Sequence, residues 1–337
     1  MKKITILSLS LLIAMSFSSC NKDDQANRLK IGMFVVGDGF NDSGYKQNCK
    51  SGLLSALEKE PFDTLFVSSL THTQSEIDYF PKNGCDALFL AGSIASTELL
   101  VTAANYPEKQ FVIVDYDGET SLPNVQAINY NSDEAAFPLG FLAASWALAH
   151  DQVSPSVAII GGIDIAVLKR FITAYRLGVS YFNSKYNQKV NVTTTFLNTF
   201  DDSDCGYRVA DSLIKNGNAD VILPVAGNAG NGALYAAKDN GKWAIGVDAD
   251  QYYSLPEVKD ILLSSCVKSL ESTISKVAIA YLENPVVSNS TYTGTLKNEG
   301  VSLAPFHSFD TQIPDSIKTA IEAIKAGIID GSIDTGF

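Results

Sequence analysis

The chain has 337 residues, 46% of them hydrophobic, and a formal net charge of −12. That length supports about two globular domains. The acidic balance, with no long basic run, argues against a nucleic-acid partner, because phosphate recognition needs clustered Lys and Arg.

The first residues, MKKITILSLSLLIAMSFSSC, carry Lys2 and Lys3, then an apolar stretch from Ile4 to Phe17, then small residues before Cys20. The stretch is too short and wrongly flanked to span a membrane, and it reads as a secretory signal. Ser18-Ser19-Cys20 has the form of a bacterial lipoprotein cleavage site, which would remove residues 1–19 and lipidate Cys20, although Phe17 stands where Leu is usual. The alternative is an ordinary cleaved signal with a coincidental Cys. Residues 20–28 are short and polar and read as a tether. The Lys22-Asp23-Asp24 run also resembles a signal for lipoprotein export to the cell surface. The expected place is therefore the cell envelope, anchored by lipid on the periplasmic side or at the surface.

From Leu29 strands and helices alternate. LKIGMFVV reads as a buried strand, Gly37–Ser43 as a loop, and about 44–59 as a helix. TLFVSS, a helix near 74–80, DALFLAG, a helix over about 96–106, and QFVIVD follow. After NVQAINYN the pattern restarts with a long apolar helix over about 134–149. Then come SVAIIGG, a helix over 165–183, VNVTTTF, a helix near 206–216, DVILPVAG, a helix near 233–240, and WAIGVD. Short apolar strands separated by helices indicate parallel sheets. The expected fold is α/β, with two doubly wound lobes joined by a hinge. DILLSSCV is a further strand, Ile274, Val277, Ala278 and Tyr281 share one helix face, and SIKTAIEAIKAGI is a last amphipathic helix. These pieces would complete the two sheets, with the chain crossing between lobes more than once. The expected division is residues 29–130 plus about 252–290 in one lobe, and 131–251 plus about 291–337 in the other.

Ligands of open parallel sheets sit beyond the carboxyl ends of the strands. Asp115 and Asp248 fall at such ends and supply acceptors suited to paired hydroxyls, and Lys268 supplies a charged donor. Gly227, Gly230 and Gly232 would let backbone N–H groups approach a ligand. Phe40, Tyr45, Tyr116 and Tyr252 offer faces for a ring. Each has a plainer reading: a strand-end Asp caps the next helix or turn, glycines form turns, and a Lys is a surface charge. Cys49, Cys85, Cys205 and Cys266 include no close pair, so disulfides and free thiols both stay open. His72, His150 and His307 have no metal-ligand spacing. No nucleophile elbow, HExxH or Cys–His set occurs, and nothing pairs two carboxylates as acid and base. No enzyme activity, cofactor or metal is expected.

Six stretches carry a family resemblance: GFNDSGYKQNCKSGL, YPEKQFVIVD, NVQAINYNSDEAAFPLGFLAA, VAIIGGIDIAVLKRFITAYRLGV, ADVILPVAGNAGNGALYAAKDNGKWAIGVDADQYY and IIDGSI. The chain resembles the basic membrane protein family of substrate-binding lipoproteins, which includes the purine nucleoside receptor of bacterial ABC importers. The resemblance implies a type I periplasmic-binding-protein fold with a ligand between the lobes and an ABC permease as partner. It also implies that Tyr45 stacks on a base, that Asp115, Asp248 and Lys268 hold a ribose, and that Gly227 lies beside the sugar. Departures fall in the base-reading half. Val36 stands where the nucleoside binders have an Asp, with Asp38 as a substitute through a shifted loop, and Lys46 stands where they have an Asn. The candidate ligand set is Asp42, Tyr45, Lys46, Asp115, Gly227, Asp248 and Lys268, in a monomer that binds a purine nucleoside or a related ribosyl compound. The competing readings are a surface or sensory receptor with no permease of its own, and a nucleoside-processing enzyme.

Overall fold

The computed structural model describes residues 28–337, so the signal, Cys20 and the tether up to Asn27 lie outside the described residues. The first half of the chain contributes β1 (Lys30–Val36), α1 (Tyr45–Leu57), β2 (Asp63–Ser69), α2 (Gln74–Lys82), β3 (Ala87–Ala91), α3 (Ser96–Asn105), β4 (Gln110–Val114) and β5 (Val125–Tyr130). Then come α4 (Ser132–His150), β6 (Ser156–Gly161), α5 (Ala166–Tyr186), β7 (Asn191–Phe196), α6 (Ser203–Lys215), β8 (Val221–Val225), α7 (Gly227–Asp239) and β9 (Trp243–Asp248). The remainder is α8 (Gln251–Ser254), a 3-10 turn over Pro256–Ile261, β10 (Leu262–Lys268), α9 (Leu270–Glu283), β11 (Thr291–Gly294), β12 (Val301–Leu303) and α10 (Asp315–Ile329).

Two six-stranded sheets result, in the orders β11-β5-β4-β3-β1-β2 and β12-β10-β9-β8-β6-β7. The two-lobed α/β architecture expected from the alternation is the one observed. Central strands such as β3, β4, β6 and β8 are buried at every position, as strands covered by helices on both faces must be. The edge strands β2 and β7 are only partly buried and carry more Ser, Thr, Asp and Asn. Pro224 sits inside β8. Lacking an N–H, it can donate to neither neighbour; the ladder with β6 still runs through Ile160↔Pro224, whereas the pairing with β9 is confined to Val221↔Trp243 and Ile222↔Ala244.

The chain passes between lobes three times: after β5, after β10 and after β11. The crossings are tied together by Asn131 N–H donating to Gly294 O at 2.8 Å and Ser269 N–H to Gly300 O at 2.9 Å. This corrects the expected division at its C-terminal boundaries. β10 lies in the second sheet, in parallel register with β9 (Cys266↔Val247), whereas β11 joins the first sheet beside β5. The reason is local: α8 and the 3-10 turn form a short crossover that returns the chain beside β9, as consecutive strands tend to lie. Helix α9 then packs on α1 in the first lobe, and α10 on α4 in the second.

Candidate ligand-binding cleft

Between the carboxyl ends of the two sheets lies a cavity with about 680 Å³ of atom-free space, part of it open to solvent. All seven candidate residues, Asp42, Tyr45, Lys46, Asp115, Gly227, Asp248 and Lys268, line it. They come from five segments separated by up to 226 positions (268 − 42).

Asp115 follows β4 and Asp248 ends β9, and both have left-handed backbones, φ +62° and +65°. Asp tolerates that region better than most residues, at a cost of about 1–2 kcal/mol. The turn aims each carboxylate at the cleft. Lys268, the last residue of β10, joins them: Nζ donates to Asp115 Oδ2 at 2.5 Å and lies 3.4 Å from Asp248 Oδ1, the latter an ion pair without hydrogen-bond geometry. All three residues are buried. Asp115 Oδ1 and Asp248 Oδ1 are buried with no hydrogen-bond partner. Burial pushes the Asp248 carboxyl up to about 6 against the pull of the Lys268 ammonium, with Asp115 and Asp42 adding to the rise. Burial disfavours the Lys268 cation, but Asp115 and Asp248 outweigh it and hold that group above its usual range.

Tyr45 stands at the start of α1. Its hydroxyl donates to Val114 O at 3.2 Å, so the ring, rather than the oxygen, faces the cavity. Lys268 Nζ lies 5.4 Å from that ring and 4.9 Å from the Phe171 ring. Asp42 is largely committed to structure. Its oxygens accept from Gly44, Lys46 and Gln47 N–H at 3.1, 3.0 and 3.1 Å, satisfying the free donors at the start of α1. The side chain of Lys46 is spent on Asp201 and, at 3.4 Å, Asp38. Val36 contributes an apolar wall. Asp38 is half-exposed and does not line the cavity, so it does not take the place of a carboxylate at Val36.

The glycine stretch is not the loop expected from the sequence. It forms the first turns of α7, which begins at Gly227 rather than near Ala233. Gly227, at φ +55°, lines the cavity. Gly232 serves packing, since a Cβ there would stand 1.8 Å from Ser203 O. Of the other rings, Phe40 packs edge-on against Phe66 and Tyr252 stacks on His307. Neither these two nor Tyr116 is in the cavity wall. Phe171 and Phe200 are there instead. The sequence hides Phe171, because it sits on the apolar face of α5 and looks like core. The four described cysteines are free. Among the described residues no cluster of His, Cys, Asp and Glu could hold a metal, and no helix is long and apolar enough to cross a membrane.

A sequence profile described as "ABC transporter substrate-binding protein PnrA-like" matches residues 29–331. The chain belongs to this family. Similar curated proteins include basic membrane protein B of Borreliella burgdorferi, 25% identical over 293 residues, covering 84% of this chain and 82% of that one. Basic membrane protein A1 of Borrelia garinii is 24% identical and covers 97% and 95% of the two chains. Among solved structures, an ABC transporter solute-binding protein from Aeropyrum pernix superposes with a TM-score of 0.84 at 21% identity, covering 91% of this chain and 92% of that one. A periplasmic solute-binding protein from Actinobacillus succinogenes, solved with D-allose bound, gives 0.61 at 14% identity, covering 83% and 99%. These structures share the type I periplasmic-binding-protein fold. Family membership makes this chain an ABC transporter solute-binding protein on a type I fold, which implies a small-molecule ligand and a permease partner.

Proposed function

We propose that the cleft binds a purine nucleoside or a related ribosyl compound and that Cys20 anchors the mature protein to a membrane by lipid. The observation that carries the ligand reading is the pair of buried carboxylate oxygens that accept no hydrogen bond, Asp115 Oδ1 and Asp248 Oδ1, the second of them ion-paired with Lys268. A buried acceptor left without a donor is costly. Two neighbouring hydroxyls, as on a ribose, supply the two donors, and Lys268 remains to donate to a sugar oxygen. Tyr45, Phe171 and Phe200 give the apolar faces that an attached flat ring needs. The excess of carboxylates over cations in the wall opposes phosphate groups, which favours nucleosides over nucleotides.

A thermal-shift series tests this on the mature protein with nucleosides, free bases, ribose and nucleotides. A ligand that binds only the folded state raises its melting temperature. A shift with inosine, guanosine or adenosine, and none with ribose or free base, supports the reading. Absence of any shift with nucleosides removes the ligand assignment and leaves the family and fold standing. Metabolic labelling with a radioactive fatty acid tests the anchor, with Cys20→Ser as the variant that should lose the label.

A further inference from the structure

The residue Asp201 matched no motif in the sequence, yet it makes the charged contact that closes the cleft on the side away from the crossings. It lies between β7 and α6 in the second lobe, and Lys46 reaches it from α1 in the first. The Lys46 side chain is only 6% exposed and that of Asp201 25%, so the pair is largely shielded from solvent. The topology sets it back from the hinge. The crossings leave from the β5 and β10 side of the sheets, whereas the Asp201 loop is tied to Asn228 and Ala229 at the start of α7, which follows β8, two ladder steps from β10, about 10 Å at the usual strand spacing. The Asp115–Lys268 pair, by contrast, adjoins a crossing, since Lys268 is the last residue before Ser269. A hinge opening moves groups more the farther they lie from the crossings, and would separate Asp201 from Lys46 before it separates Asp115 from Lys268.

Two features show that the pair is built in. The loop holding Asp201 is fixed on its own lobe: Asn228 Nδ2 donates to Asp201 O at 3.0 Å, and Asp201 N–H donates to Thr199 Oγ1 at 3.1 Å. Phe200, its neighbour, lines the cavity and accepts from Ala229 N–H at 3.0 Å. On the other lobe, Gly37 makes room. A Cβ there would stand 2.6 Å from Lys46 Nζ and 3.0 Å from Asp201 Oδ1, and its φ is +145°. Neutral contacts beside the pair also cross the cleft, with Ser254 Oγ donating to Ser43 O at 2.6 Å and Asn231 Nδ2 to Asp42 O at 2.8 Å.

We propose that Asp201 is a positioning residue for solute capture: its ion pair with Lys46 latches the mouth of the cleft and raises the closed population whatever the ligand. The proposal rests on the solute-binding role of the cleft but not on the identity of the solute. Apparent affinity scales with the population of the competent form. Asp38, on the same lobe as Lys46, keeps that lysine partnered on opening, so the latch biases an equilibrium rather than locking it.

The test is small-angle scattering of the ligand-free mature protein, wild type against Asp201→Asn, with a thermal melt of each. The expected result is a larger radius of gyration in Asp201→Asn, with stability lowered by no more than the weight the closed form loses, about 1.4 kcal/mol, and with Asp201→Glu returning toward wild type. Every ligand that binds should then lose affinity by one common factor of about ten, which is about 1.4 kcal/mol, and Asp201→Asn should add nothing in a Lys46→Gln background. Identical ligand-free scattering for Asp201→Asn and wild type overturns the proposal. Should Asp201→Asn melt early, Lys46→Gln gives the same reading: open scattering supports the latch and wild-type scattering refutes it. Because scattering needs no ligand, failure of the nucleoside assignment leaves this test intact.

Discussion

Acidification from pH 7.5 to 5 should weaken ligand binding about tenfold, because a proton and the ligand compete for Asp248. The buried carboxyl titrates at about 6. A ligand hydroxyl donating to Oδ1, which accepts no hydrogen bond within the protein, would stabilise the ionised form and lower that value in the complex. With the ionised form alone binding, the apparent Kd rises by 1 + 10^(pKa − pH), a factor of about 11 at pH 5 and about 1 at pH 7.5. Lys268 stays charged across this window, since its partners hold it above its usual range. In the ligand-free protein the sign is opposite to that of a typical ion-paired Asp. The folded value exceeds the ordinary 3.8. The stability from this group is therefore fully present below 3.8 and lost as pH rises through about 6. The difference of about 2 pH units corresponds to about 3 kcal/mol. Titration calorimetry at pH 7.5 and 5, in buffers of different ionisation enthalpy, reads both affinity and proton release. Equal Kd at the two pH values, or an unchanged pH profile in Asp248→Asn, refutes the argument.

Lys268→Met should destabilise the protein by about 3–5 kcal/mol at pH 8, because it leaves two buried carboxylates facing each other without a cation. Thermal or urea melts should show the loss shrinking toward pH 5, and a pH-independent loss would contradict it. Tyr45→Phe should retain ligand affinity while losing about 1 kcal/mol of stability with the hydroxyl bond to Val114 O, whereas Tyr45→Ala should lose affinity in calorimetry. Gly232→Ala should lower the melting temperature by forcing α6 from α7, at about 1–3 kcal/mol, while any ligand that still binds does so with unchanged stoichiometry.

Much of the architecture could be read from the chain because buried parallel strands announce themselves as short apolar runs, and VILPV and QFVIV have few other readings. Pairing partners are harder. The run LLSSCVK looks the same whether it extends the first sheet or the second, and only the short crossover after β9 decides for the second. The three- and four-residue strands β11 and β12 carry too little pattern to be seen at all. In the site, the residues at strand ends were legible because topology converges those ends on one cleft. Phe171 and Phe200 were not, since a ring on an apolar helix face or in a loop has no signature of its own. Asp42 was legible as a cleft residue but not in its main work, which is satisfying the N–H groups of α1.

The two lobes explain why Asp248 and Asp250 stand where β9 ends. A strand-end Asp has an ordinary use, capping the helix that follows. In the second lobe that work is done by Asp250, whose side chain accepts from Tyr252 N–H at the start of α8 and also meets His307 Nε2 at 2.8 Å. Asp248 is thereby left free of capping duty. In the first lobe Asp115 likewise follows its strand without a helix to cap. The two residues follow or end the third strand in from the hinge edge of each sheet, β4 and β9, and share the same left-handed backbone. Repeated strain at equivalent places needs a compensating gain. The ion pairs with Lys268 supply part of it, but each carboxylate retains a buried oxygen that accepts no hydrogen bond. A ligand offering one donor to each lobe would supply it, and would do so only when the lobes are together. The same two oxygens that make the site unfavourable by itself would thus join the two lobes through whatever fills the cleft between them.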